Sequence, residues 1–329
     1  MNSIAIWSDS NINLEFHLDL NLLITKKEDD NYIEFGFKLL NKNIENLYIY
    51  LPFKITNNDF SDKIDSLAKD SILVNAMFNK KLSVENLNSS FFKVTENGKL
   101  QFCFCKLSKE DVEIKEEDSG TQISIKINKT NTACDKLYYR FRINKLKDIF
   151  DKINTNWVFT NGVEEDINFI EININSVRKL PSRIVDNIQE VKIKSINVFV
   201  ITENFANLLF YSKKIYKSRV LEELWKDYVN ITNNSNINKL VAYHWKQKLE
   251  ELWKDYVNTT NNSNINKLVA YHWKQESENF VDYNLFIKIS YAFKNKSFLV
   301  KMFLFVLISS ALGGVCGNYL TKLLFALTN

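Results

Sequence analysis

The chain has 329 residues, enough for one or two domains with a sizeable core. A net charge of +4 argues against a general nucleic-acid binder, and an ordinary 45% hydrophobic content excludes a polytopic membrane protein. Seven glycines and two prolines in a chain rich in Asn, Lys and Ile read as codon bias rather than as a functional signal.

The first residues, MNSIAIWSDSNINLEF, have no basic start followed by an apolar run, so no secretory leader is expected. Residues 1–202 are expected to form a β-rich domain. Over 11–22, Ile12, Leu14, Phe16, Leu18, Leu20 and Leu22 alternate with Asn13, Glu15, His17, Asp19 and Asn21. A period of two places one face in a core and the other in water. The same alternation predicts strands over 32–39 and 47–55, with Pro52 marking an edge strand or a strand end. Strands over 91–95 and 100–107 are joined through Asn97-Gly98, a pair that favours a tight hairpin turn. Further strands are expected over 122–129, 136–144, 167–175 and 191–201. Segments 61–78, 145–153 and 182–189 are short helix candidates. Short polar links favour an antiparallel meander, folded as a two-layer sandwich-like domain.

Cys103, Cys105, Cys134 and Cys316 show no framework spacing, which fits a reducing cytosol. Cys103 and Cys105 share one strand face and read as half-buried thiols. No paired Cys or His set completes a metal site, and neither a metal nor a cofactor is expected.

Near Glu203 the period changes. Phe205, Leu208, Leu209, Ser212, Ile215 and Tyr216, then Leu221, Leu224, Trp225, Tyr228 and Val229, have helical spacing and predict one helix over 203–230. The string LEELWKDYVNITNNSNINKLVAYHWKQ at 221–247 returns at 249–275 with Ile231 replaced by Thr259. Identity this close points to a recent tandem duplication. Its period of 28 residues is four heptads, which keeps an apolar seam in phase. Helices over 236–258 and 264–296 are therefore expected, and 203–297 is read as an α-helical bundle.

From Met302 to Thr321 no residue is charged. As a helix that run spans about 30 Å, the thickness of a bilayer core, so 298–329 is expected to be one C-terminal transmembrane helix. Lys288, Lys294, Lys296 and Lys301 precede it and Lys322 follows it, which places the N-terminal portion in the cytoplasm. Ser309, Gly313 and Gly317 recur every four residues, Ser310 and Gly314 form a parallel pair, and Asn318 adds a polar handle. That face suits close helix association and a homo-oligomer.

No catalytic constellation is present. His244 and His272 are one position duplicated, and His17 lies between Glu15 and Asp19 on a strand's wet face. There is no phosphate-cradling glycine loop and no nucleophile elbow. The acidic runs at 110–118 and 164–166 read as solvated loops. One strip stands out. In KLYYRFRIN, Leu137, Tyr139, Phe141 and Ile143 face one side and Lys136, Tyr138, Arg140 and Arg142 the other. Two guanidinium groups beside a phenol suit an anionic ligand such as a nucleotide or an acidic peptide. Lys192 and Lys194 extend the patch if their strand is a neighbour.

The expected whole is an α+β protein with a membrane anchor. Its cytosolic sheet senses or binds a ligand, and helices couple it to an oligomerising membrane segment. Such a layout suits a membrane-acting bacterial stress or phage-defence effector. The alternative is a passive tether or scaffold that holds a partner protein at the inner membrane.

Overall fold

The computed structural model describes residues 3–9, 14–25, 28–40, 44–127, 134–144, 146, 151–155, 163–188, 191–203, 206–215, 217–220, 225–229, 268–280, 282–294, 307–310 and 312–313. Side chains are described at these positions except 151–155, 163–166, 217–220, 226–227, 268–280 and 292–294.

The chain opens with β1 (Ala5–Ser8), β2 (Leu14–Ile24), β3 (Tyr32–Leu39), β4 (Asn46–Leu51) and β5 (Phe60–Asp62). Two short helices follow, α1 (Ile64–Ala68) and α2 (Ser71–Phe78). Next come β6 (Ser83–Asn86), β7 (Phe91–Glu96), β8 (Lys99–Cys105), β9 (Val112–Glu117), β10 (Gly120–Lys126) and β11 (Leu137–Asn144). After them run β12 (Asp151–Thr155), β13 (Val163–Ile174), α3 (Ser182–Val185) and β14 (Val191–Glu203). The last elements are β15 (Ala206–Tyr211), β16 (Lys217–Val220), α4 (Trp225–Val229), β17 (Leu268–Phe280) and β18 (Tyr283–Lys294).

These strands form three sheets. The largest runs β16-β17-β14-β2-β3-β11-β8-β7-β6, with β5 also on β11. Two four-stranded sheets, β1-β4-β10-β9 and β12-β13-β18-β15, accompany it. Most pairs are antiparallel, but β2 lies parallel to β14 and β8 parallel to β11. A simple meander is therefore ruled out, since β2 takes one neighbour from the next strand and the other from far along the chain.

One face of the large sheet supplies Phe16, Leu18, Leu20, Phe35, Phe37, Phe141, Val198 and Val200 to the main core. Ile6, Ile49, Ile123, Ile172 and Ile287 from the smaller sheets meet them there. Phe35, Phe37 and Phe60 pack around Phe141, with ring centroids 5.0–6.0 Å apart where they meet. Each such ring is worth roughly 2 kcal/mol in burial alone. The opposite face carries a second cluster. Leu23, Tyr32, Phe102, Phe104 and Tyr138 pack under Ile64 and Leu67 of α1, Leu73 and Val74 of α2, and Trp225, Tyr228 and Val229 of α4. Helices thus cover the sheet's second face, and both faces of β3 and β11 are buried.

The helical bundle expected over 203–297 is overturned. β15 and β16, and β17 and β18 over most of 264–296, are strands, and only Trp225–Val229 is helical in the described part of 203–230. Tyr283, Leu285, Ile287 and Ile289 are buried and alternate with Asn284, Phe286 and Lys288, so the period there is two. Clusters of apolar residues satisfy both periods over short windows, and sheet pairing decides between them. Residues 236–258 lie outside the described residues. The helix candidate at 145–153 is corrected over 151–153, because Asp151–Thr155 pairs with β13 as a strand, while 145 and 147–150 lie outside the described residues. The fold is mostly β rather than α+β. The expected transmembrane helix is not seen either. Among the described residues no helix is long and apolar enough to cross a membrane. Within 302–321 only 307–310 and 312–313 are described, as helix.

Candidate functional site

The site is built where three central strands lie in register. Asn21, Glu34 and Arg142 stand abreast on β2, β3 and β11, and Asp19, Gly36 and Arg140 form the next row. Strand alternation turns Tyr138, Arg140 and Arg142 away from the main core, onto the face that α4 covers.

Glu34 is the centre. Its Oε1 accepts from Arg140 Nε at 2.5 Å, from the Tyr228 hydroxyl at 2.7 Å and from Asn21 Nδ2 at 3.4 Å. Its Oε2 accepts from Arg142 Nε at 2.9 Å. The three charged side chains are 0–3% exposed. Burial pushes the Glu34 carboxyl up, but the two guanidinium groups and the Tyr228 hydroxyl outweigh it and hold it at about 2. Burial also raises the Tyr32 phenol to about 12, against the pull of Arg142, whose guanidinium lies 3.8 Å from the Tyr32 ring centroid.

Arg142 holds α4 by its end. Its Nη2 donates to the Tyr228 carbonyl at 2.9 Å and its Nη1 to the Val229 carbonyl at 3.1 Å. These are last-turn carbonyls that no intrahelical donor reaches, and a cation there also suits the helix dipole. Arg140 Nη1 donates to the Tyr138 hydroxyl at 2.7 Å, and that hydroxyl donates to Asp19 Oδ2 at 3.2 Å. Asn197 Nδ2 reaches Asp19 Oδ1 at 2.6 Å. Tyr138 must lie across β3 to meet Asp19 on β2. Gly36 makes the notch, because a Cβ there would stand 2.4 Å from the Tyr138 hydroxyl oxygen.

The structure brings together Tyr138, Arg140 and Arg142 from the expected strip, but as buried groups 1–2% exposed rather than a wet face. Lys136 stays exposed. Lys192 and Lys194 do not join them. They lie on β14, separated from β11 by β2 and β3, and stand 3.9 and 3.5 Å from Glu15. Ser309, Ser310 and Gly313 are exposed on helical backbone, while Gly314, Gly317 and Asn318 lie outside the described residues. His17 Nδ1 meets Ser195 Oγ at 2.6 Å. Among the described residues no cluster of metal-ligating side chains occurs. Cys103 lies against Cys134, their Cα atoms 6.0 Å apart. Cys105 is free and buried, with its thiol pushed up to about 12 by burial.

Sequence reasoning missed Glu34 and the role of Tyr228. The signal for Glu34 was a carboxylate on the polar phase of a strand whose apolar phase was already assigned. The signal for Tyr228 was its place in a pentapeptide present twice.

Chemically the cluster is a closed ion network that clamps a helix end. The Arg142 fork offers two parallel donors to a pair of oxygens, and carbonyls fill it where a carboxylate or phosphate would equally fit. The chain matches no family model, no curated protein and no solved structure.

Proposed function

We propose that the chain is a membrane-attached recognition protein whose ligand site is the arginine pair of the large sheet, with α4 as its built-in cover. The observation that carries this reading is the pair of α4 carbonyls seated in the Arg142 fork. They stand where the oxygens of an anionic ligand would bind. A phosphate- or carboxylate-bearing ligand competing for the fork releases α4. The body lies on the cytoplasmic side and the uncharged run 302–321 attaches it to the bilayer. Leu307, Ile308 and Leu312 support the attachment, being 50–60% exposed and outside both cores. Copies associate through Ser309, Ser310 and Gly313.

A thermal-shift titration with a nucleoside triphosphate tests the site. Tyr228→Ala loosens the cover and binds the anion more tightly than the parent. Arg142→Gln loses binding. Equal affinity in parent and both variants overturns the reading. The passive-tether alternative separates on attachment alone: exchanging 298–329 for an unrelated anchor preserves a tether's function and abolishes a coupled sensor's.

A further inference from the structure

Tyr228 holds its place on the cluster through a hydroxyl that both donates and accepts. It donates to Glu34 Oε1 at 2.7 Å and accepts from Arg140 Nε at 2.9 Å. An ammonium or an amide N–H only donates, so this position selects a hydroxyl. A neighbouring group is not served. Asn21, 9% exposed, gives its Nδ2 to Glu34 Oε1 at 3.4 Å, while its Oδ1 is buried with no hydrogen-bond partner among the described residues. Turning the amide over would set its oxygen against the Glu34 carboxylate, acceptor on acceptor, so the unserved atom is the oxygen. A buried acceptor left bare costs about tenfold or more in folding.

Oδ1 shares its carboxamide carbon with the Nδ2 that touches Glu34, so Glu34 Oε1 and Asn21 Oδ1 stand side by side as acceptors. α4 fills the Arg142 fork with two carbonyls and Glu34 with one hydroxyl, and it leaves the second acceptor empty. Its fit is that of a stand-in with one donor too few.

We propose, resting on the reading of α4 as a cover, that the cluster and Asn21 together bind a phosphorylated sugar with a vicinal diol, as in a ribonucleotide. The phosphate takes the Arg142 fork, one hydroxyl replaces that of Tyr228 between Glu34 and Arg140, and the adjacent hydroxyl donates to Asn21 Oδ1. Two hydroxyls on neighbouring carbons match two acceptors side by side, which a terminal carboxylate of a peptide does not. Asn21, Glu34 and Arg142 stand abreast on β2, β3 and β11. From the fork to the amide is two strand spacings, about 10 Å along the backbone. That order, phosphate at one end and diol at the other, is the order of groups in a nucleoside diphosphate or triphosphate.

Calorimetric titration of the full chain with ATP, with 2′,3′-dideoxy-ATP and with inorganic tripolyphosphate tests the site. The parent is expected to bind ATP about tenfold or more tighter than the dideoxy compound, the usual worth of a hydrogen bond to a buried charge. Asn21→Ala shrinks that ratio about fivefold, since a donor then meets no acceptor. Tripolyphosphate carries no hydroxyl pair and reports the fork alone. If it binds the parent but not Arg142→Gln, while ATP and dideoxy-ATP bind equally, the diol site is overturned and the cover stands. If tripolyphosphate does not bind, or binds Arg142→Gln as well as the parent, both are overturned. An ATP-to-dideoxy ratio unchanged by Asn21→Ala overturns the part given to Asn21. Should that variant not fold, the ratio measured on the parent still decides.

Discussion

Glu34 balances two buried arginines, so its removal strands both. Glu34→Gln is expected to cost about 3–5 kcal/mol, the usual penalty for breaking a buried ion pair from one side. Urea denaturation measures it, and a loss below about 1 kcal/mol would show that the network is not closed. The two carboxylates with the largest shifts, Glu34 and Asp62, act with opposite sign. The folded Glu34 carboxyl sits at about 2, below its ordinary value of 4.5. Its stabilising contribution, about 3 kcal/mol, is full above 4.5 and is lost as pH falls toward 2. Asp62 accepts backbone N–H bonds from Ile64 and Leu107, both at 3.1 Å, yet burial pushes its carboxyl from 3.8 up to about 6. The folded state then holds a proton that the unfolded chain releases, and about 3 kcal/mol is lost as pH rises from 3.8 to 6. The two contributions are therefore expected to balance, and stability to peak, at about pH 4, between the two unfolded values. Asp62→Asn should abolish the decline above the peak, and a parent profile flat between pH 4 and 6 contradicts the assignment. At this scale the sequence was half readable. Strand alternation put Tyr138, Arg140 and Arg142 on one face. That this face is covered depends on α4, which joins it from more than eighty residues away.

Elements were legible where the signal is local. Asn97 and Gly98 have φ of 51° and 76°, the left-handed pair that a two-residue hairpin between β7 and β8 demands. β4 ends at Leu51, just before Pro52, as a missing backbone donor requires. Segments 61–78 and 182–189 do carry helices, though broken ones. Other junctions carry no such signature. Asn175, left-handed at φ 53°, ends β13 and turns its side-chain amide into a substitute strand. Its Oδ1 accepts the Ile6 N–H at 2.8 Å and its Nδ2 donates to the Ile6 carbonyl at 3.3 Å. Both Ile6 groups are buried with it. Asn175→Ala adds backbone strain and orphans both, so a loss of about 2–4 kcal/mol is expected from denaturant midpoints. Asn175→Gly removes the strain but not the orphaning, and should recover about 1 kcal/mol of it at most. Full recovery by glycine would show that the amide bonds carry no weight.

The molecule as a whole is held by pairings that no local window contains. β2 is flanked by β3 and by β14, and β13 by β12 and by β18. Which sheet a strand joins is set by these distant partners, which is why the strands from 206 to 294 were read as helices, and why β1, β5, β6, β9 and β12 among the earlier ones were missed while the other nine were found. The same non-locality bears on any cut near residue 202. Tyr283, Leu285, Ile287, Ile289 and Tyr291 of β18 lie in the main core, and the Tyr291 hydroxyl donates to the Ile24 carbonyl at 2.9 Å. At roughly 2 kcal/mol each, these five side chains contribute about 10 kcal/mol, comparable to the whole stability of an ordinary domain. A chain ending at residue 202 also loses β17, which leaves an edge of β14 unpaired along its length. Residues 1–202 alone are therefore expected to bind a hydrophobic dye, to unfold without a cooperative transition and to aggregate at micromolar concentration. Residues 1–294, which keep every described strand, are expected to unfold cooperatively. Cooperative unfolding of the shorter chain would mean that β18 merely leans on a core that is complete without it.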